Sequence, residues 1–153
     1  MLETPHAALG AAIAVQVGNP LLALPLSFVS HFALEPLPHW NPHTYTETKT
    51  NGHLSKRTIV IIWADALIAL GLGLFVAFHQ LPSTTKAATV ILSCFFAVLP
   101  DLIEAPYYFL GKRHAFFDAL IKFQRKLQFD VSPLPGLASQ AICVLIFLHL
   151  ALG

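Results

Sequence analysis

Charge is scarce in this chain: nine Lys and Arg and eight Asp and Glu among 153 residues leave it 11% charged, with a formal net charge of +1. So weak a field excludes electrostatic capture of nucleic acid, and no basic run alternates with aromatics as a base-stacking surface would. No Lys or Arg precedes Lys49. The basic n-region of a secretory signal is therefore missing, and the first apolar segment is expected to be retained. Cysteine is nearly absent as well. Cys94 and Cys143 stand alone in apolar segments without paired spacing, which argues against a disulfide framework and casts both as small hydrophobes.

What the chain has in abundance is apolar surface, with 56% hydrophobic residues and a mean hydropathy of +0.66. That exceeds the usual soluble domain and marks an integral membrane protein. The length accommodates about five spans of about 20 residues with short connections. The expected fold is all-α: a single transmembrane helical domain over 1–153, a polytopic bundle of about five spans plus one interfacial amphipathic helix.

An Ala-rich helix over 5–18 ends at Gly18, Asn19 and Pro20, and a second, over 21–35, is stopped or kinked by Pro36 and Pro38. A polar loop follows over 40–56. The clearest span covers 58–78 and is interrupted only by Asp65. A further helix over 84–99 reaches Pro100, and 101–110 continues it as a helical or broken extension rich in aromatics. Residues 115–128 set Phe116, Phe117, Leu120, Ile121 and Leu127 against Lys122, Gln124, Arg125, Lys126 and Gln128, the pattern of a helix lying in the headgroup layer. The last span covers 136–152.

Eight of the nine basic residues, all but Lys86, fall in the loop before the third helix or between the fourth helix and the last span. The positive-inside rule then puts that side in the cytoplasm, with the N-terminus inside and the C-terminus outside.

Seven ionisable residues sit inside or at the ends of apolar stretches: His6, His31, Glu35, His39, Asp65, Asp101 and Glu104. Each costs about 2.5–3.5 kcal/mol at bilayer depth even on lenient scales, so a chain that keeps several is expected to use them together. In this topology they share one layer at the cytoplasmic face. His31 and Glu35, four apart, lie on one helical face, as do Asp101 and Glu104, three apart. A mixed imidazole and carboxylate set suits a divalent metal, with zinc favoured over manganese or iron. His6, His31, His39, Asp65 and Asp101 are the candidate ligands. Glu35 and Glu104 are the candidate catalytic carboxylates, and Lys112 and Arg113 are candidates for holding a phosphate. The alternative for each remains open: His6 and His39 as interfacial polar residues, Asp101 as a helix cap, and His31 or Asp65 bonded to a neighbouring helix. His43, His53, His79 and His114 fall in or beside loops and read as solvated, and His149 as a satisfied bundle histidine.

The segments Thr4-Pro5-His6 with Gly10, Ser30-His31 and Leu99-Pro100-Asp101 resemble those of the small bacterial membrane-bound metal-dependent hydrolases. The resemblance covers about a quarter of the chain. It implies a multi-span inner-membrane protein and maps ligand roles onto His6, His31 and Asp101; the second aspartate of the pattern falls on Ile103, with Glu104 one further on. The expected activity is hydrolysis of a lipid or lipid-linked ester or phosphoester, with membrane lipids as surroundings and oligomer formation left open. Two alternatives stand beside it: a proton- or cation-coupled transporter or channel built on Asp65, Glu35 and His31, and a structural membrane subunit.

Overall fold

The computed structural model describes residues 1–153. It is all-helical apart from one short strand pair. The elements are α1 (Glu3–Val17), α2 (Pro20–Leu34), β1 (Pro38–His39), α3 (Thr44–Asn51), α4 (Lys56–His79), α5 (Thr84–Phe109), α6 (Ala115–Leu127), β2 (Phe129–Asp130) and α7 (Pro133–Leu152).

Three helices, α4, α5 and α7, at 24, 26 and 20 residues, are long and apolar enough to cross a membrane. Their outward side chains, Trp63, Leu67 and Leu145 among them, are exposed. Apolar surface on this scale fits contact with lipid better than contact with water. The sequence led us to expect about five spans, but α1 and α2 have only 15 residues each. At 1.5 Å per residue that is about 22 Å, short of a hydrocarbon core of about 30 Å. Gly18, with φ of 69°, turns the chain out of α1, and Pro20 starts α2. Of the two alternatives for 101–110, the helical one holds in α5. It continues through Pro100 and Pro106 to Phe109, so Asp101 lies two turns inside the helix.

The Ala-rich α1 is the centre of the bundle and packs against α2, α4, α5 and α7. Its small side chains let the neighbouring backbones come close. At Gly10 the approach leaves no room for a methyl group, since a Cβ there would lie 2.6 Å from the Ser93 carbonyl oxygen and 2.9 Å from the Ala97 Cβ. α1 and α5 are thereby locked together one turn from His6 on one side and one turn from Asp101 on the other.

The amino end of α1 supplies no cap of its own, because Leu2 at the N-cap makes no side-chain hydrogen bond. Two long helices supply it instead. The Asp65 carboxylate of α4 accepts from the N–H groups of Glu3 and Thr4 and, at 2.6 Å, from Thr4 Oγ1. The Leu2 N–H donates to Gln140 Oε1 of α7 at 2.9 Å. Asp65 lies nine residues into α4, Gln140 seven into α7, and Asp101 eight before the end of α5. All three are therefore about 10–14 Å below the helix ends.

The segments 35–55 and 110–132 close over this level. β1 and β2 pair in parallel, with His39 opposite Asp130, and Gln140 Nε2 donates to the Trp40 carbonyl at 2.9 Å. α6 turns Ile121 and Gln124 inward and leaves Phe116 and Phe123 outside, as a helix in the headgroup layer would.

Asp65→Ala removes the borrowed cap and is expected to lower stability by about 1–2 kcal/mol. Asp65→Asn, which keeps an acceptor, should recover part of the loss; thermal melts in detergent would check both.

Candidate metal centre

Three helices each bring one side chain to a common point below the covering segments. His6 of α1, His31 of α2 and Asp101 of α5 place a ligand atom apiece within 4.8 Å of one another, a group that can hold a metal ion. The two imidazoles stack with centroids 4.0 Å apart and planes 18° from parallel, and both histidines are fully buried.

The hydrogen bonds of His31 set the direction of its free nitrogen. Nδ1 lies 2.8 Å from the Ala97 carbonyl oxygen. That oxygen can only accept, so Nδ1 carries the proton and the lone pair of a neutral ring is on Nε2. Nε2 faces Gln124 Oε1 at 2.9 Å and Asp101 Oδ1 at 3.5 Å, two acceptors around an acceptor. Either a proton on Nε2 or a metal cation among the three atoms satisfies such a set. A backbone carbonyl holding the far nitrogen of a metal-binding histidine is the usual supporting arrangement.

Neither ring nitrogen of His6 has a hydrogen-bond partner, and the same holds for Glu3 Oε2, Glu35 Oε2 and His39 Nε2, all buried. A buried polar atom without a partner costs about 1–3 kcal/mol, so this concentration in one place fits a ligand-binding centre. Glu35, just past the end of α2, places Oε1 3.3 Å from His6 Nε2 and 2.7 Å from the Met1 amino group.

The other candidates from the sequence are distributed around this group. Glu104, one turn beyond Asp101, is reached through Gln124 of α6, whose Nε2 donates to Glu104 Oε1 at 2.6 Å. His39 lies on the far side of Glu35, with Nε2 3.8 Å from Glu35 Oε2, so it does not join His6, His31 and Asp101. Burial holds its imidazole pKa below the ordinary value. Asp65 is not among the converging ligands either, because its carboxylate is occupied by the end of α1. Lys112 and Arg113 lie on the surface past α5, with the Arg113 guanidinium 3.9 Å from the Tyr107 ring centroid.

A polar cavity of about 180 Å³ opens beside the centre, lined among others by Glu3, Asp101, Glu104, Gln124 and Arg125. Arg125, held 4.1 Å over the Tyr45 ring, lines this cavity, and Lys112 and Arg113 do not. Gln124 was legible only as part of a polar helix face. A clue was available, since it follows Phe117 and Ile121 at helical spacing and so falls on the apolar stripe. Gln140, an amide in the apolar run of the last span, carried a similar signal.

Comparison of the chain with protein-family models, curated proteins and solved structures gave no match.

Gln124→Ala leaves His6, His31 and Asp101 in place but removes the link from Glu104 to His31. It is expected to weaken metal binding about 10–100-fold, measured by competition with a chelator of known affinity.

Proposed function

We propose that the chain is a membrane-embedded, metal-dependent hydrolase acting on a lipid or lipid-linked ester or phosphoester. The observation that carries this reading is the convergence of His6, His31 and Asp101 from separate helices beside buried nitrogens that no protein group satisfies. Two imidazoles and one carboxylate suit zinc and leave a coordination position open, as hydrolytic zinc sites do. When bound there, the ion supplies Lewis acidity and brings the pKa of a coordinated water to about 7.

The protein's own groups supply the rest. The Ala97 carbonyl keeps His31 Nε2 aimed at Asp101. Glu35, beside His6, and Glu104, held by Gln124, are the carboxylates left to take a proton from the attacking water. Arg125 at the cavity rim is placed to hold a phosphate or another anionic group of the substrate.

A lipid substrate is favoured by a second cavity. An apolar groove of about 300 Å³ runs between α4 and α5, lined by residues such as Ala69, Gly73, Leu74 and Phe95, and shares Glu3 and Leu102 with the polar cavity. Both flanking helices are of spanning length. An acyl chain entering sideways from the bilayer would lie in this groove and bring its ester or phosphoester linkage to the polar end.

Lys49, Lys56, Arg57 and the five basic residues over 112–126 lie toward the end of the bundle that holds the centre, which supports a reading with that end in the cytoplasm and the end of α7 outside a bacterial inner membrane. The opposite half is closed by an apolar core that includes Ala11, Ala14, Val76 and Val90. Gln16 there donates to the Leu150 carbonyl at 2.6 Å. This favours hydrolysis over a proton relay, which would need polar groups along the whole path.

Elemental analysis of protein purified without chelator is expected to find zinc, manganese or iron at one or more ions per chain, reduced in His31→Ala and Asp101→Ala. Absence of metal would overturn the reading. Cleavage of a panel of lipid esters and phosphoesters should be lost in the same variants; metal without cleavage would keep the centre and remove the hydrolase.

A further inference from the structure

The apolar groove between α4 and α5 has a defined beginning and a defined end. It starts at Glu3 and Leu102, where it meets the polar cavity, and reaches no deeper than Leu74 on α4 and Ile91 on α5. From Leu102 to Ile91 it follows α5 for eleven residues, about 16 Å at 1.5 Å per residue. Just beyond, Val76 and Val90 are fully buried and belong to the apolar core, so the bundle is closed there. The groove is thus a slot with a polar mouth, a sealed foot and one long open side.

Small side chains make its floor. Ala7 of α1, Ala69 and Gly73 of α4 and Cys94 of α5 all line it and are all buried. The banks are large and apolar: Leu70, Leu74, Ile91 and Phe95 stand exposed along the opening. Gly73, near the foot, does not serve the purpose of Gly10. At Gly10 the Ser93 backbone of α5 occupies the space a side chain would take, whereas the atoms nearest a Cβ on Gly73 are Cys94 Sγ at 3.2 Å and Cys94 Cβ at 3.5 Å, with no backbone among them. The first glycine brings two helices together, and the second leaves the space between two helices open.

An unfilled space of about 300 Å³ runs against the close packing of protein interiors, because its walls lose their dispersion contacts. Both flanking helices are of spanning length, so the open side faces hydrocarbon and an alkyl chain is the occupant at hand. The mouth distinguishes this place from the rest of the lipid-facing surface. Glu3 lines both cavities, and its Oε2 is buried without a hydrogen-bond partner. A polar atom there marks the border at which the head and tail of an amphiphile divide.

We infer that this groove takes one acyl chain of a membrane lipid and limits its length, with Gly73 as the residue that sets the limit. The inference rests on the lipid-hydrolase reading above and narrows its substrate to lipids whose chain, counted from the cleaved linkage, ends within the slot. An extended dodecyl chain spans that distance. A side chain at Gly73 raises the foot and shortens the preferred chain, at a cost of about fourfold in binding for each methylene that loses its contacts.

Photocrosslinking in phosphatidylcholine nanodiscs tests this, using n-alkyl phosphates from hexyl to hexadecyl with a diazirine at the chain terminus. In wild type the dodecyl probe is expected to label the stretches around Gly73 and Cys94 in preference to the outward-facing Leu67 and Leu145, and unlabelled dodecyl phosphate should compete that labelling away. In Gly73→Leu the dodecyl labelling is expected to fall about tenfold or more while the hexyl probe still binds. Leu74→Trp, on the exposed bank near the same depth, narrows the foot without entering the core and should give the same shift if the glycine variant fails to fold. Labelling spread evenly over the outward faces, or a length profile unchanged in both variants, overturns the inference. Cleavage is scored apart. Groove labelling with no ester or phosphoester cleaved keeps the groove and removes the hydrolase, whereas cleavage with a length profile that neither variant shifts keeps the hydrolase and overturns the limit set by Gly73.

Discussion

The amino end of α1 lies inside the bundle, about 10–14 Å below the ends of the long helices, where its free N–H groups take their acceptors from other helices. Leu2 has no polar side chain to offer, so the acceptors come from Asp65 on α4 and Gln140 on α7. An uncapped helix end in an apolar medium costs several kcal/mol per unsatisfied group. That requirement fastens two long helices to the start of α1 and fixes their relative depth. His6, one turn further along, inherits its position from the same contact.

Close packing sets the remaining coordinates. Gly10 admits α5 to a distance that no larger residue would permit, and the Ala97 carbonyl on the approaching face orients His31 from α2. The centre is therefore made by backbone proximity among small residues, with its ligands carried on rigid helices rather than loops. Rigid placement of that kind is what a metal-binding or catalytic constellation requires. The unpartnered atoms of His6, Glu35 and His39 run against the general rule that buried polar groups are satisfied. Local departures of this sort are characteristic of functional sites.

Above the centre, the chain departs from a simple bundle. The strand pair, α3 and α6 form a polar cover that excludes solvent from His6, His31, Glu35 and His39, while the groove between α4 and α5 gives the same region an apolar side entrance. In the proposed reading, this groove is the route by which an amphiphilic substrate brings its linkage to the centre.

Hydropathy and proline placement made the all-helical class, the long apolar helices and the amphipathic α6 legible in advance, because each depends on neighbours within one or two turns. Length was less legible: a 15-residue apolar helix reads as a span until Asp65 and Gln140 are seen meeting its end inside the bundle. The ionisable residues of the apolar stretches were equally visible, and His6, His31 and Asp101 do meet. Their division of labour was not visible. Asp65 and Asp101 are the same residue type in similar apolar runs, and one caps a helix while the other faces two imidazoles. Gln124 and Arg125 lie in polar segments where composition gives no reason to single them out. Local sequence determined which segments are helical and which side chains are too costly to leave unpartnered; tertiary packing alone decided their partners, because those distances depend on helix approach and strand register between residues up to 138 positions apart.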